Sequence, residues 1–132
     1  MPYLLDEQIG QPERQALARL GVSGKQMGFE IRPKPLRTDD ALVIRILQGM
    51  KNVTFITCNV KDFYHASLRH NRYCLLGVDG EIEHVPAIVH RVLHHPQFKT
   101  IAQRLGKVIR ASLKRISYFE LGSNQEVSLV LD

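Results

Sequence analysis

Cysteine is scarce in this chain. It has two, Cys58 and Cys74, with no metal-ligand spacing between them. A disulfide framework is therefore not expected, and both read as reduced core thiols of a cytosolic protein. Long apolar runs are missing as well. None approaches the roughly 20 residues a membrane-spanning helix needs, and no secretory signal stands at the N-terminus. A cytoplasmic protein without a membrane segment is the expectation. Internal repeats and low-complexity stretches are absent, which argues against a repeat architecture. The most informative absence is of negative charge. Between His84 and Phe119 there is no Asp or Glu, whereas Arg91, Lys99, Arg104, Lys107, Arg110, Lys114 and Arg115 are all basic.

The 132 residues suffice for one domain with a real core. A formal net charge of +5 and a pI near 9.5 favour an anionic partner without identifying it. The acids that do occur are concentrated earlier, where strands end in the reading below. An acidic focus in a basic molecule suits a nuclease that grips phosphates and holds a metal ion at the reacting one.

Val53-Thr-Phe-Ile-Thr57 is a continuous β-branched and aromatic run, the pattern of a buried strand. After Cys58-Asn59 the pattern predicts a helix from about Val60 to His70. Tyr3-Leu-Leu5 is a shorter strand ending at Asp6-Glu7. Pro12 then stands in the first turn of a helix whose apolar face is Ala16, Leu17 and Leu20, closed by Gly21. Met27 to Ile31 reads as another strand, Arg32-Pro-Lys-Pro35 as an extended linker. Thr38-Asp39-Asp40 opens a helix carrying Leu42, Val43, Ile46 and Leu47. Tyr73 to Val78 is a further buried strand, closed by the turn Asp79-Gly80. Beyond it, Ile82 to Leu93 predicts a helix interrupted near Pro86. Phe98, Ile101, Leu105, Val108 and Ile109 predict an amphipathic helix, despite Gly106, with its basic residues outward. Arg115 to Leu121 and Glu126 to Leu131 predict two strands. The whole is an α/β domain, a mostly parallel sheet flanked by helices. Its core covers about residues 1–80, and a C-terminal helical and two-strand extension about 81–132.

Three strand-end or helix-start positions carry acids: Asp6 beside Glu7, Asp40 beside Asp39, and Asp62. In an open α/β sheet ligands sit outside the carboxyl ends of the strands, so the three are expected to converge there. The plain alternative is helix capping, open to Thr38, Asp39, Asn59 and Asp62 alike. Gathered carboxylates repel one another unless a cation joins them, and hard oxygen ligands suit Mg²⁺ or Mn²⁺.

These residues resemble a family. Tyr3-Leu-Leu-Asp-Glu-Gln-Ile is similar to the opening of PIN-like domains, where a hydrophobic strand ends in an acid. Asp40-Ala-Leu-Val matches the family's Asp-Ala helix start. Thr57-Cys-Asn-Val-Lys-Asp-Phe63 is similar to the Thr-x-Asn-x-x-Asp-Phe motif of VapC-type toxin nucleases. The resemblance spans about residues 3–80 and implies a three-layer, metal-dependent ribonuclease fold. By that resemblance Asp6, Asp40 and Asp62 are the metal carboxylates, for Mg²⁺ or Mn²⁺. Asn59 and Thr57 are supporting polar groups, and Glu7 is an extra ligand or base. The implied partners are RNA, a small antitoxin and, as an option, a second copy of the chain. Arg91, Arg104, Lys107, Arg110 and Lys114 are the candidate RNA contacts. One departure is that the family usually carries a further acid on a helix between the first two positions. Glu13 and Glu30 are poor substitutes for it. The alternative is therefore a catalytically inactive PIN-like module that binds nucleic acid or protein.

Two other constellations are weaker. His90 and His94 have the spacing of a zinc pair, but no Cys or HExxH pattern accompanies them. Tyr64 and His65 are placed to line the same cleft as Asp62 and stack on a base. A flavodoxin-like receiver domain would need a Lys near a late strand end, which Gly77-Val-Asp79 does not offer.

Overall fold

The computed structural model describes residues 3–6, 8–26 and 40–131, and only the backbone of 25–26 and 40–42. The acids Glu7 and Asp39, the whole strand expected over residues 27–31, the linker expected over 32–35 and the expected cap Thr38 lie outside the described residues. The elements are β1 (Tyr3–Leu5), α1 (Gln11–Arg19), β2 (Lys25–Gln26), α2 (Asp40–Gln48), β3 (Val53–Thr57), α3 (Val60–Phe63) and β4 (Tyr73–Val78). There follow α4 (Val85–His94), α5 (Ile101–Arg104), β5 (Val108–Ala111), β6 (Arg115–Phe119) and β7 (Val127–Val130).

One seven-stranded sheet runs β2-β1-β3-β4-β5-β6-β7. Its first four pairings are parallel and its last two antiparallel. The extension expected beyond residue 80 is thus no separate appendage, because β5 pairs directly with β4. The order of the five parallel strands places a topological switch point between β1 and β3, where the chain departs to either side.

Alternation along the strands sorts side chains to two faces. Leu5, Ile56, Cys74, Leu76 and Ile109 join a core under α1 and α4, with Leu17, Ile88, Val89 and Val92. Leu4, Val53, Phe55, Tyr73, Leu75 and Val108 join a second core with Val43 and Leu47 of α2 and Phe63 of α3. Every residue of β3 and β4 is buried, as expected of central strands covered on both faces. Gly77 helps to bring α3 down: a Cβ there would meet Val60 Cγ2 at 3.2 Å and Ile109 O at 3.4 Å.

The steps β3 to β4 and β4 to β5 go the same way across the sheet. The first connection covers the α2–α3 face and the second the α1–α4 face. The two crossovers therefore have opposite hands, although parallel crossovers are almost always right-handed. In consequence, no helix of the described residues covers β5–β7 on the α2–α3 side.

Two expected helices are corrected. The segment from Val60 to His70 is helical only to Phe63, with a separate 3₁₀ turn at Ala66–Leu68. The amphipathic helix expected through Ile109 stops at Arg104, and Val108 to Ala111 is strand. Gly106 is the cause, because its φ of +84° suits glycine and no helix. The break near Pro86 is milder than expected. Ile82–His84 forms a 3₁₀ turn, and Pro86 then lies in the first turn of α4.

Candidate functional site

The carboxyl ends of β1 and β3 meet at the switch point, and the sequence puts a polar residue at each. Asp6 follows Leu5 and stays in register, its amide donating to Ile56 O at 2.9 Å. Asp6 is buried, 6% exposed, beside Thr57 at the end of β3. Thr57 Oγ1 donates to Asp6 Oδ2 at 2.5 Å and accepts from the Asn59 amide at 2.9 Å. Asn59 caps α3, and its Nδ2 donates to Asp62 Oδ2 at 2.8 Å. Asp6, Thr57, Asn59 and Asp62 thus form one unbroken polar chain across the strand ends. The Asn59 Oδ1 contact to the Asp62 amide is long, 3.4 Å. Capping and the side-chain link to Asp62 are therefore served by the same asparagine.

Of the remaining expected ligands, Asp40 is the first residue of α2, and its side chain lies outside the described atoms. Among the described residues, no three of His, Cys, Asp and Glu are grouped to enclose a metal ion. The donors that are assembled are all oxygen-rich and hard: two carboxylates, a hydroxyl and a carboxamide. In kind they fit Mg²⁺ or Mn²⁺, since Mg²⁺ is commonly held by one or two carboxylates with water completing the shell. His90 and His94 do not add a second centre. Their rings stack at 4.0 Å, and His94 Nδ1 contacts His90 O at 2.9 Å.

Two residues near this site were not singled out as part of it from sequence. The Cys58 thiol is pushed up from its usual range by burial first, then by the charges of Asp6 and Glu13. Glu13, in the first turn of α1, therefore lies within electrostatic reach of the strand ends. Its Oε1 sits over Gly10, 3.0 Å from where a Cβ there would be. Glu13 is held near the N-terminus of α1, where negative charge is favoured.

The five candidate RNA contacts do not form one surface. Arg104 is 3% exposed, which corrects its expected outward position. It donates to Thr54 Oγ1 (3.1 Å), Phe98 O (2.9 Å) and Lys99 O (3.2 Å), as an interior strut. Lys107 lies over the rings of Phe98 and Tyr118 and donates to Gln103 O. Arg91 donates to Leu113 O at 2.5 Å in the β5–β6 turn. Arg110 and Lys114 are exposed at the carboxyl edge that also carries the acidic chain. Tyr64 does not stand free to stack on a base: its hydroxyl donates to Glu126 Oε2 at 2.5 Å and its ring packs on Phe119. His65 Nε2 contacts Lys61 O at 2.8 Å.

No helix of the described residues is long and apolar enough to cross a membrane. Comparison of the chain with family models, characterised proteins and solved structures found no match.

Proposed function

We propose that this protein is a PIN-like endoribonuclease dependent on Mg²⁺ or Mn²⁺. What carries the reading is the polar chain from Asp6 through Thr57 and Asn59 to Asp62 at the switch point of the sheet. Strand-end crevices of open α/β sheets are where such folds bind ligands. Asp6 and Asp62, with Asp40, would hold the ion, and Glu7 and Glu13 would add negative charge beside it. When bound, the ion supplies a Lewis acid for a phosphoryl oxygen and a water of lowered pKa. The chain's own residues do the positioning. Thr57 fixes the Asp6 carboxylate, and Asn59 fixes Asp62 while ending the strand and starting α3. Arg110 and Lys114, on the same edge, would draw the RNA backbone toward the acids. By the same resemblance, a small antitoxin would be its inhibitor.

Purified protein is expected to cleave RNA in Mn²⁺, and Asp62→Asn to lose about 100-fold or more of that rate. Equal trace cleavage by the two proteins sinks the enzymatic reading. The second reading, a silent RNA-binding module, rests on the departure from the family pattern, which usually carries a further acid between the positions of Asp6 and Asp40. It predicts RNA binding that a chelator leaves unchanged.

A further inference from the structure

The face of β5–β7 that no described helix covers holds a cavity of about 220 Å³ that the strand-end acids do not use. Register builds it: Arg110 pairs with Ser117, and Ser117 with Ser128. The three side chains therefore stand in one row across three strands, on the side where no described helix lies. Arg115, two residues before Ser117, points to the same face and lines the same cavity.

Its chemistry is an excess of donors. Each carboxylate at the rim accepts through one oxygen, and only that of Asp79 is paired with a cation. Asp79 Oδ2 accepts from Arg110 Nε and Nη2, at 3.0 and 2.7 Å. Glu126 Oε2 accepts from Tyr64. The Arg110 Nη1 has no partner among the described residues, and neither does the exposed Arg115 side chain. The hydroxyls of Ser117 and Ser128 lie 3.3 Å apart, and either can donate onward. Guanidinium groups and hydroxyls around a small volume match the size and acceptor geometry of a phosphate. The volume is below the roughly 300 Å³ at which pockets for drug-sized ligands begin.

We propose that this cavity is a phosphate-binding site in which Arg115 and Arg110 supply the charge and Ser117 and Ser128 the hydroxyl donors. The phosphate belongs either to the backbone of single-stranded RNA or to a small phosphate ester. No hydrolytic step is involved, so the site stands whether or not the strand ends cleave RNA.

The test is run on the full chain in chelator, which removes cleavage from the readout. Anisotropy of an end-labelled single-stranded oligoribonucleotide is followed over a salt series for wild type, Arg115→Ala and Lys99→Ala. Lys99 is exposed and lies beyond α4, outside the cavity. In parallel, amide spectra are recorded during titration with inorganic phosphate. If RNA is the source, Arg115→Ala weakens binding about tenfold and lowers the salt slope by about 0.7, while Lys99→Ala does neither. If a small ester is the source, RNA affinity is unchanged in Arg115→Ala. Phosphate then shifts the amides of Arg110, Ser117 and Ser128 saturably in wild type and not in the variant. The proposal is overturned if neither pattern appears, or if Lys99→Ala weakens RNA binding and lowers the salt slope as much as Arg115→Ala does. Far-UV spectra of both variants confirm that the exposed substitutions leave the fold intact.

Discussion

Thr57 donates to a carboxylate and accepts from a backbone amide at once, and that double duty sets what its replacement should do. Thr57→Val keeps the shape but leaves the Asn59 amide without this acceptor and Asp6 Oδ2 without this donor. A loss of about 1–3 kcal/mol is expected in urea unfolding, whereas Thr57→Ser should lose much less. Cys74 gives a pH signature. Complete burial pushes its thiol up to about 12 from an ordinary 9.0. Above pH 9 the unfolded chain gives up that proton and the folded chain keeps it, so stability falls as pH rises from about 9 to 12. The slope is at most about 1.4 kcal/mol per pH unit from this group. Urea midpoints between pH 8 and 11 should fall less steeply in Cys74→Ala. At this scale Asp6 and Thr57 were legible, because both end apolar runs. Glu13 and the inward turn of Arg104 were not: each follows from how distant segments dock, and no local pattern records that.

The strands β3 and β4 were legible as elements because an unbroken apolar run flanked by turn residues has few other homes. The stretch from Phe98 to Ile109 was misread because its apolar spacing satisfies a helix. Gly106 overrode that spacing, and the β-branched Val108-Ile109 suits the strand that follows. Gly106→Ala tests this directly. It places a Cβ at φ +84°, 2.6 Å from Leu121 Cδ1, and should cost about 1–2 kcal/mol. The turn of the β6–β7 hairpin is held by an arginine from another segment. Arg69 donates to Glu120 O at 2.9 Å, to Asn124 Oδ1 at 3.0 Å and to Ser123 O. Arg69→Ala should accelerate amide exchange in β6 and β7 about 10- to 100-fold, as expected from losing bonds to a charged donor. Exchange in β3 and β4 should stay unchanged.

For the molecule as a whole, the expected α/β architecture and the sheet with helices on both faces are present. The opposite-handed crossover was beyond the reach of sequence, since the choice of face is made by the docking of α4 on α1. Metal binding is tested at this scale too. Mn²⁺ at about 100 times its dissociation constant should raise unfolding stability by about 2.7 kcal/mol, and Asp6→Asn should abolish the increment. The return of β5 by way of α4 also decides what kind of gripping surface the far flank is. A ligand on Arg110, Ser117 and Ser128 would lie on pleated backbone, its anchor points metered at about 4.8 Å from one strand to the next. Such a ruler cannot stretch to suit its guest, so selectivity there would be by interval before it is by charge.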